Sequence, residues 1–123
     1  MGNIVCRACL VRCGDQRLHQ LARRLLVDLE IPEDACHVIA VPGGAAYAGL
    51  ATLLQTVLSL CRPEQTILTI HEDCLAGAVH QQLLDAYAMA RQHTDRIRMF
   101  VFKSEGGWEE IQYPAAEEAA SHV

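Results

Sequence analysis

Short apolar runs alternate with longer segments of helical periodicity, and this alternation constrains the fold more than any other feature of the chain. The runs span Ile4 to Val11, Cys36 to Val41, Thr66 to Ile70 and Ile97 to Phe102. The last of them shows little polar alternation, which is typical of a strand buried on both faces. Strands that alternate with helices predict a mainly parallel, doubly wound α/β sheet of about four strands, flanked by helices.

Three segments have helical patterns: Leu18 to Leu29, Ala45 to Cys61 and Ala76 to His93. The second has few polar residues, and a helix that is apolar all round is buried on most sides. In a chain of 123 residues, part of that burial is expected to come from another subunit. We therefore expect at least a homodimer, with this helix or the edge of the first strand near the interface. Trp108 to Tyr113 predicts a short edge strand.

The length predicts one domain that is large enough to bury a core. Residues 1–113 are expected to form this single α/β domain. Residues 114–123, after the last predicted strand, contain Ala, Glu, Ser and His and predict an acidic tail that is frayed or mobile.

Composition excludes several classes of partner. The net charge is −5 and the pI about 5.6, so no basic patch suited to nucleic acid is present. No apolar run reaches transmembrane length, and the first residues lack a charged leader. A cytoplasmic protein with reduced thiols is the expectation. A disulfide framework is not expected, and four of the six cysteines are interpreted as small buried apolar residues; they are Cys6, Cys9, Cys36 and Cys61.

Two short motifs follow predicted strands. Cys13-Gly14-Asp15-Gln16-Arg17 lies between the first strand and the first helix. A helix N-terminus there would favour a thiolate, because the positive end of the helix dipole stabilises negative charge. His71-Glu72-Asp73-Cys74 follows the strand that ends at Ile70.

The two motifs are expected to meet at the carboxyl edge of the sheet, where open α/β folds bind ligands. Two thiols and one imidazole supply three protein ligands and leave a fourth position open, which is typical of catalytic rather than structural zinc. Each residue also has an ordinary structural interpretation. Cys13 and Cys74 could be core residues, His71 a hydrogen-bonded histidine, Asp15 a helix cap and Arg17 a surface charge.

The pattern Cys13-x-Asp15-x-Arg17, followed 58 residues after Cys13 by His71-x-x-Cys74, resembles the active-site signature of the β-class carbonic anhydrases. The resemblance implies that Cys13, His71 and Cys74 bind zinc and that a water occupies the fourth position. It also implies reversible hydration of carbon dioxide to bicarbonate, in a pocket completed by a neighbouring subunit. Asp15 and Arg17 would form a gate: Asp15 pairs with Arg17 in the open site and occupies the fourth position in the closed one.

Two further functions are compatible with these motifs. One is a related zinc hydrolase that acts on carbonyl sulfide or carbon disulfide. The other is a catalytically silent, zinc-binding subunit or interaction module, whose site would be held closed by Asp15. Two departures from the family pattern bear on this choice. Ala40-Val41-Pro42-Gly43-Gly44 stands after the second strand where many members have Arg-Asn-Ala-Gly, and Leu75 follows Cys74 where a glycine is usual. Pro42-Gly43-Gly44 ends the second strand and allows a close approach of the backbone there.

Overall fold

The computed structural model describes residues 6–74 and 76–113. The strands and helices, in chain order, are β1 (Ala8–Cys13), α1 (His19–Asp28), β2 (Cys36–Val41), α2 (Leu50–Cys61), β3 (Gln65–His71), α3 (His80–Ala90), β4 (Ile97–Phe102) and β5 (Trp108–Ile111). Short 3-10 turns span Gln16–Leu18 and Gly44–Ala46. The start of the first predicted strand at Ile4, the residue Leu75 and the predicted tail 114–123 lie outside the described residues.

The sheet has the strand order β2-β1-β3-β4-β5. The first four strands are parallel, and β5 is antiparallel to β4. From β1 the chain first adds β2 on one side and then β3 on the other, so the winding direction switches between β1 and β3. This confirms the predicted doubly wound α/β fold, with one antiparallel edge strand. Because β1 lies between two strands, it has no free edge, and the expectation that its edge lies near an interface is wrong.

Helices cover both faces of the sheet. On one face, α1 packs through Leu25 against Leu10 and Phe100, all buried. On the other face, α2 and α3 pack against strand residues that include Val11. Successive strand residues point to opposite faces, which is why Leu10 and Val11 belong to different clusters. The central strands are therefore apolar on both sides.

The helices α2 and α3 begin later than their sequence patterns predict, at Leu50 and His80 instead of Ala45 and Ala76. Tyr47 has an extended backbone with φ −64° and ψ 128°, so a helix cannot continue from Ala45 through it. Gly77 has a positive φ of 76°, and a backbone in this left-handed region interrupts a right-handed helix. In contrast, the predicted bounds of β2 and β4 are confirmed.

Burial of α2 is lower than its composition predicts. Within the chain only Leu50 and Leu54 of this helix are buried, whereas Leu60 is 76% exposed.

Burial of the cysteines is also uneven: Cys9 is fully buried, but the other three interpreted as core residues, Cys6, Cys36 and Cys61, are only partly buried. Among the described helices, none combines the length and apolar character required to span a membrane.

Candidate metal centre

The ends of two neighbouring parallel strands bring the predicted ligands together. Cys13 is the last residue of β1 and His71 the last residue of β3, and Cys74 lies in the turn after β3. Their ligand atoms all lie within 4.8 Å of one another. Cys13 and His71 are only 7% and 5% exposed. In residues 6–74 and 76–113, no other group of three or more Cys, His, Asp or Glu side chains has this arrangement.

The hydrogen bonding of His71 leaves one ring nitrogen available. Its Nδ1 lies 2.8 Å from the backbone carbonyl oxygen of Glu72. A carbonyl only accepts, so Nδ1 carries the proton and Nε2 presents a lone pair. That Nε2 atom is buried and has no hydrogen-bond partner. A buried polar atom without a partner is costly, and a bound metal would satisfy it. A backbone carbonyl on the other ring nitrogen is also usual for a histidine that binds a metal.

Cys13 is held by the backbone of the segment after β2. The N–H of Gly43 donates a hydrogen bond to Sγ of Cys13, at 3.4 Å. At Gly44, a Cβ would lie 2.5 Å from the carbonyl oxygen of Thr69 and 2.9 Å from the backbone nitrogen of Cys13, so only glycine fits. The predicted close approach of the backbone at these glycines is confirmed. It packs the segment against the ends of both strands that carry ligands.

Asp15 and Arg17 form a direct ion pair beside the cluster. Nε of Arg17 donates to both carboxylate oxygens, at 2.9 and 3.1 Å, and Nη2 donates to Oδ2. The backbone N–H of Arg17 adds a bond of 2.9 Å to Oδ1. These side-chain and backbone hydrogen bonds lower the pKa of Asp15 to about 2. Asp15 also caps the 3-10 turn Gln16–Leu18, so its structural role and its pairing with Arg17 coexist.

The Asp15–Arg17 ion pair also contacts the segment that carries His71 and Cys74. Nη2 of Arg17 donates to the backbone carbonyl of Asp73, at 3.5 Å. The Asp15 carboxylate does not belong to the group of ligand atoms formed by Cys13, His71 and Cys74. The three predicted ligands therefore lie together, and the Asp15 carboxylate beside them is paired with Arg17.

Among the solved structures that match the chain, two carbonic anhydrases cover nearly its full length. A carbonic anhydrase from Streptococcus mutans superimposes with a TM-score of 0.62 and 13% sequence identity, covering 91% of this chain and 86% of that chain. The β-carbonic anhydrase CafA of the fungal pathogen Aspergillus fumigatus gives a TM-score of 0.63 at 7% identity, covering 98% and 82%. The chain has a β-carbonic-anhydrase-like fold. No protein-family model matches its sequence, and a search of curated proteins finds no significant match.

Within this β-carbonic-anhydrase-like fold, Glu72 fixes the turn that carries His71 and Cys74. Its Oε1 accepts hydrogen bonds from the backbone N–H of Ser104, at 2.9 Å, and from the Ser104 hydroxyl, at 3.0 Å. Lys103 Nζ lies 3.4 Å from Oε2. The hydrogen bonds from Ser104 and the Lys103 contact lower the pKa of Glu72. The sequence alone does not reveal this positioning role of Glu72, because its partner Ser104 lies 32 residues further along the chain and belongs to no motif.

A cavity of about 190 Å³ opens beside the cluster of this β-carbonic-anhydrase-like fold. Its lining includes His71 and Arg17 together with Lys103, and the acidic residues Glu72 and Asp73 also contribute. The cavity beside His71 is therefore bordered by charged side chains of both signs.

Proposed function

We propose that the protein catalyses the zinc-dependent, reversible hydration of carbon dioxide to bicarbonate. The observation that carries this proposal is the buried Nε2 of His71, which has no hydrogen-bond partner. The ligand atoms of His71, Cys13 and Cys74 all lie within 4.8 Å of one another. The fold supports the proposal, because the solved structures that resemble it are described as carbonic anhydrases.

The proposed ligands are Sγ of Cys13, Nε2 of His71 and Sγ of Cys74. Two thiolates and one imidazole suit zinc in a site with an open fourth position. When bound, zinc would lower the pKa of a coordinated water towards about 7 and so supply a nucleophile near neutral pH. The chain orients this site through the Gly43 N–H on Cys13 and the Glu72 carbonyl on His71.

The proposed role of Arg17 is to hold Asp15 away from the metal. Both carboxylate oxygens accept hydrogen bonds from the guanidinium, a charge-assisted pairing that a lysine could not reproduce. This arrangement matches the open state of the gate and supports an enzyme over a silent zinc-binding module. It does not separate hydration of carbon dioxide from hydrolysis of carbonyl sulfide, which remains the second candidate.

We expect the zinc-loaded protein to hydrate carbon dioxide at a rate that rises from about pH 6.5 to 9, because hydroxide is the nucleophile of the reaction. Asp15 should not add to this dependence: its pKa of about 2 keeps it ionised throughout the range. Stopped-flow measurement of proton release, with carbonyl sulfide and carbon disulfide assayed in parallel, tests the proposal. Turnover of only the sulfur compounds would favour the hydrolase. A zinc-loaded protein that turns over none of them would instead be the silent module.

The proposed enzyme is a cytoplasmic homodimer. None of the six cysteines, all of which lie in the described residues, forms a disulfide, which suits a reducing compartment. The apolar helix α2 supports self-association, because Leu53 and Leu60 are 38% and 76% exposed in a helix with few polar side chains. A cavity of about 250 Å³ lies between the N-terminal end of α2 and α3. Its lining consists mainly of alanines and other apolar residues. Neither nucleic acid nor a membrane is proposed as a partner.

Light scattering at micromolar concentration should therefore give the mass of at least a dimer. Leu60→Glu should shift the protein towards monomer, since a buried, unpaired carboxylate opposes association. Val27→Glu is the matched control: Val27 is 75% exposed but lies on α1, on the other face of the sheet. A monomeric wild type, or equal effects of both substitutions, would count against α2 as the interface.

A further inference from the structure

A second pair of cysteines lies away from the metal centre. Sγ of Cys6 is 2.9 Å from Sγ of Cys61. Cys6 precedes β1 and Cys61 is the last residue of α2, so the pair lies at the amino end of β1, whereas Cys13 lies at its carboxyl end. The proposed hydration chemistry gives it no role.

Backbone hydrogen bonds next to both cysteines keep the two chain segments side by side. The carbonyl of Cys6 accepts a hydrogen bond from the N–H of Glu64, at 3.2 Å, and that of Arg7 accepts one from the N–H of Gln65, at 3.3 Å. Arg7 and Glu64 also form an ion pair of 3.3 Å. The segment after α2 is thereby attached to the segment before β1. The contact between the two sulfurs follows from this pairing of segments.

The Cys9 and Cys36 thiols lie close enough to interact electrostatically with the pair, and the direct sulfur–sulfur contact is the one between Cys6 and Cys61. In the described part of the chain, neither Cys6 nor Cys61 belongs to a group of three side chains able to hold a metal. Disulfide sulfurs lie about 2 Å apart, so the two atoms need to approach by only about 1 Å to form a bond. Both cysteines are partly exposed, and a small oxidant can reach them.

We propose that Cys6 and Cys61 are an oxidisable pair that forms an intramolecular disulfide and thereby ties the end of α2 to the start of β1. The oxidant is a low-molecular-weight disulfide. One protein thiolate attacks it and forms a mixed disulfide, with release of one small thiol. The second cysteine then attacks the mixed disulfide and releases the other small thiol. Two S–H bonds of the protein are lost, one S–S bond forms, and the two electrons reduce the oxidant to two thiols.

The resting state is the dithiol. Burial and the neighbouring Cys6 thiol raise the pKa of Cys61 to about 12, and a thiol is far less reactive than a thiolate. Weak or brief oxidation should therefore leave the pair reduced. Once formed, the bond would enclose β1, α1, β2 and α2 in one covalent loop, which stabilises the native state by restricting the unfolded chain.

The test is oxidation of the purified full chain by excess oxidised glutathione at pH 8.5. Remaining thiols are then alkylated, and the disulfide is located by non-reducing peptide mapping and mass spectrometry. We expect one intramolecular Cys6–Cys61 link and a urea unfolding midpoint at least about 1 M higher than that of the reduced protein. Cys6→Ser and Cys61→Ser should each abolish the link and the shift. Cys36→Ser, which replaces another partly buried thiol, should retain both.

Alkylation of both Cys6 and Cys61 after oxidation, or their linkage to other cysteines or to a second chain, would overturn the proposal. A Cys6–Cys61 link that leaves the urea midpoint unchanged would overturn its stabilising role. The two serine variants remove the same bond from opposite sides, so a folding defect of one leaves the other informative. This outcome is independent of zinc content and of hydration activity.

Discussion

Alanine in place of Cys13, His71 or Cys74 is expected to remove nearly all zinc from a protein that otherwise carries about one zinc per chain. Each substitution leaves two protein ligands. Loss of a group that merely orients a ligand weakens metal binding about 10- to 100-fold, so loss of a ligand should weaken it more than about 100-fold. Metal analysis after growth in zinc-replete medium and dialysis measures the effect. Hydration activity should fall in parallel.

Controls of the same residue types separate ligand loss from general damage. Cys36→Ala alters a partly buried cysteine and His37→Ala an exposed histidine, and both should keep zinc at the wild-type level. Circular dichroism checks that each variant is folded, because Cys13 and His71 are buried. Wild-type protein without zinc would contradict the proposed centre. So would controls that lose zinc as readily as the ligand variants.

Arg17→Ala is expected to lower carbon dioxide hydration about 10- to 100-fold, the range of strong charge-assisted hydrogen bonds, while zinc content stays near one per chain. Arg17 supplies the side-chain hydrogen bonds that hold the Asp15 carboxylate. Without them, the carboxylate is free to compete for the fourth position of the site. Stopped-flow rates at about pH 8, where hydroxide chemistry is favoured, measure the loss.

Arg17→Lys should restore part of the rate, because lysine keeps the charge but lacks the planar fork of donors. Arg24→Ala removes an arginine from an exposed position of α1 and should leave the rate unchanged. If Arg17→Ala keeps the full rate, the protein is still an enzyme but the gate is discarded.

The strands and the adjacency of the candidate ligands could be predicted because both depend on local patterns. The apolar runs of β2 and β4 coincide with the observed elements. Because β1 and β3 are parallel neighbours, the residues at their carboxyl ends meet at one edge of the sheet. The proximity of Cys13 and His71 follows from that rule alone.

Other features depend on contacts that no local pattern records. The apolar periodicity of α2 continues upstream of Leu50, so it does not reveal the extended backbone at Tyr47 that delays the start of the helix. The hydrogen bond from Gly43 to Cys13 joins residues thirty positions apart, and Ser104 reaches Glu72 from a different strand end. The 2.9 Å contact between Cys6 and Cys61 likewise depends on the path of the chain between them.

The parallel pairing of β1 with β3 also has a consequence for the order of folding. Residues such as Leu10 and Ile67 pair directly, although α1, β2 and α2 lie between them in the chain. Contacts of such long range form slowly, because the loop entropy is lost before they stabilise the structure. Zinc would meet its three ligands only after this pairing has formed. It would therefore slow unfolding of the finished sheet and have little effect on the rate of its assembly.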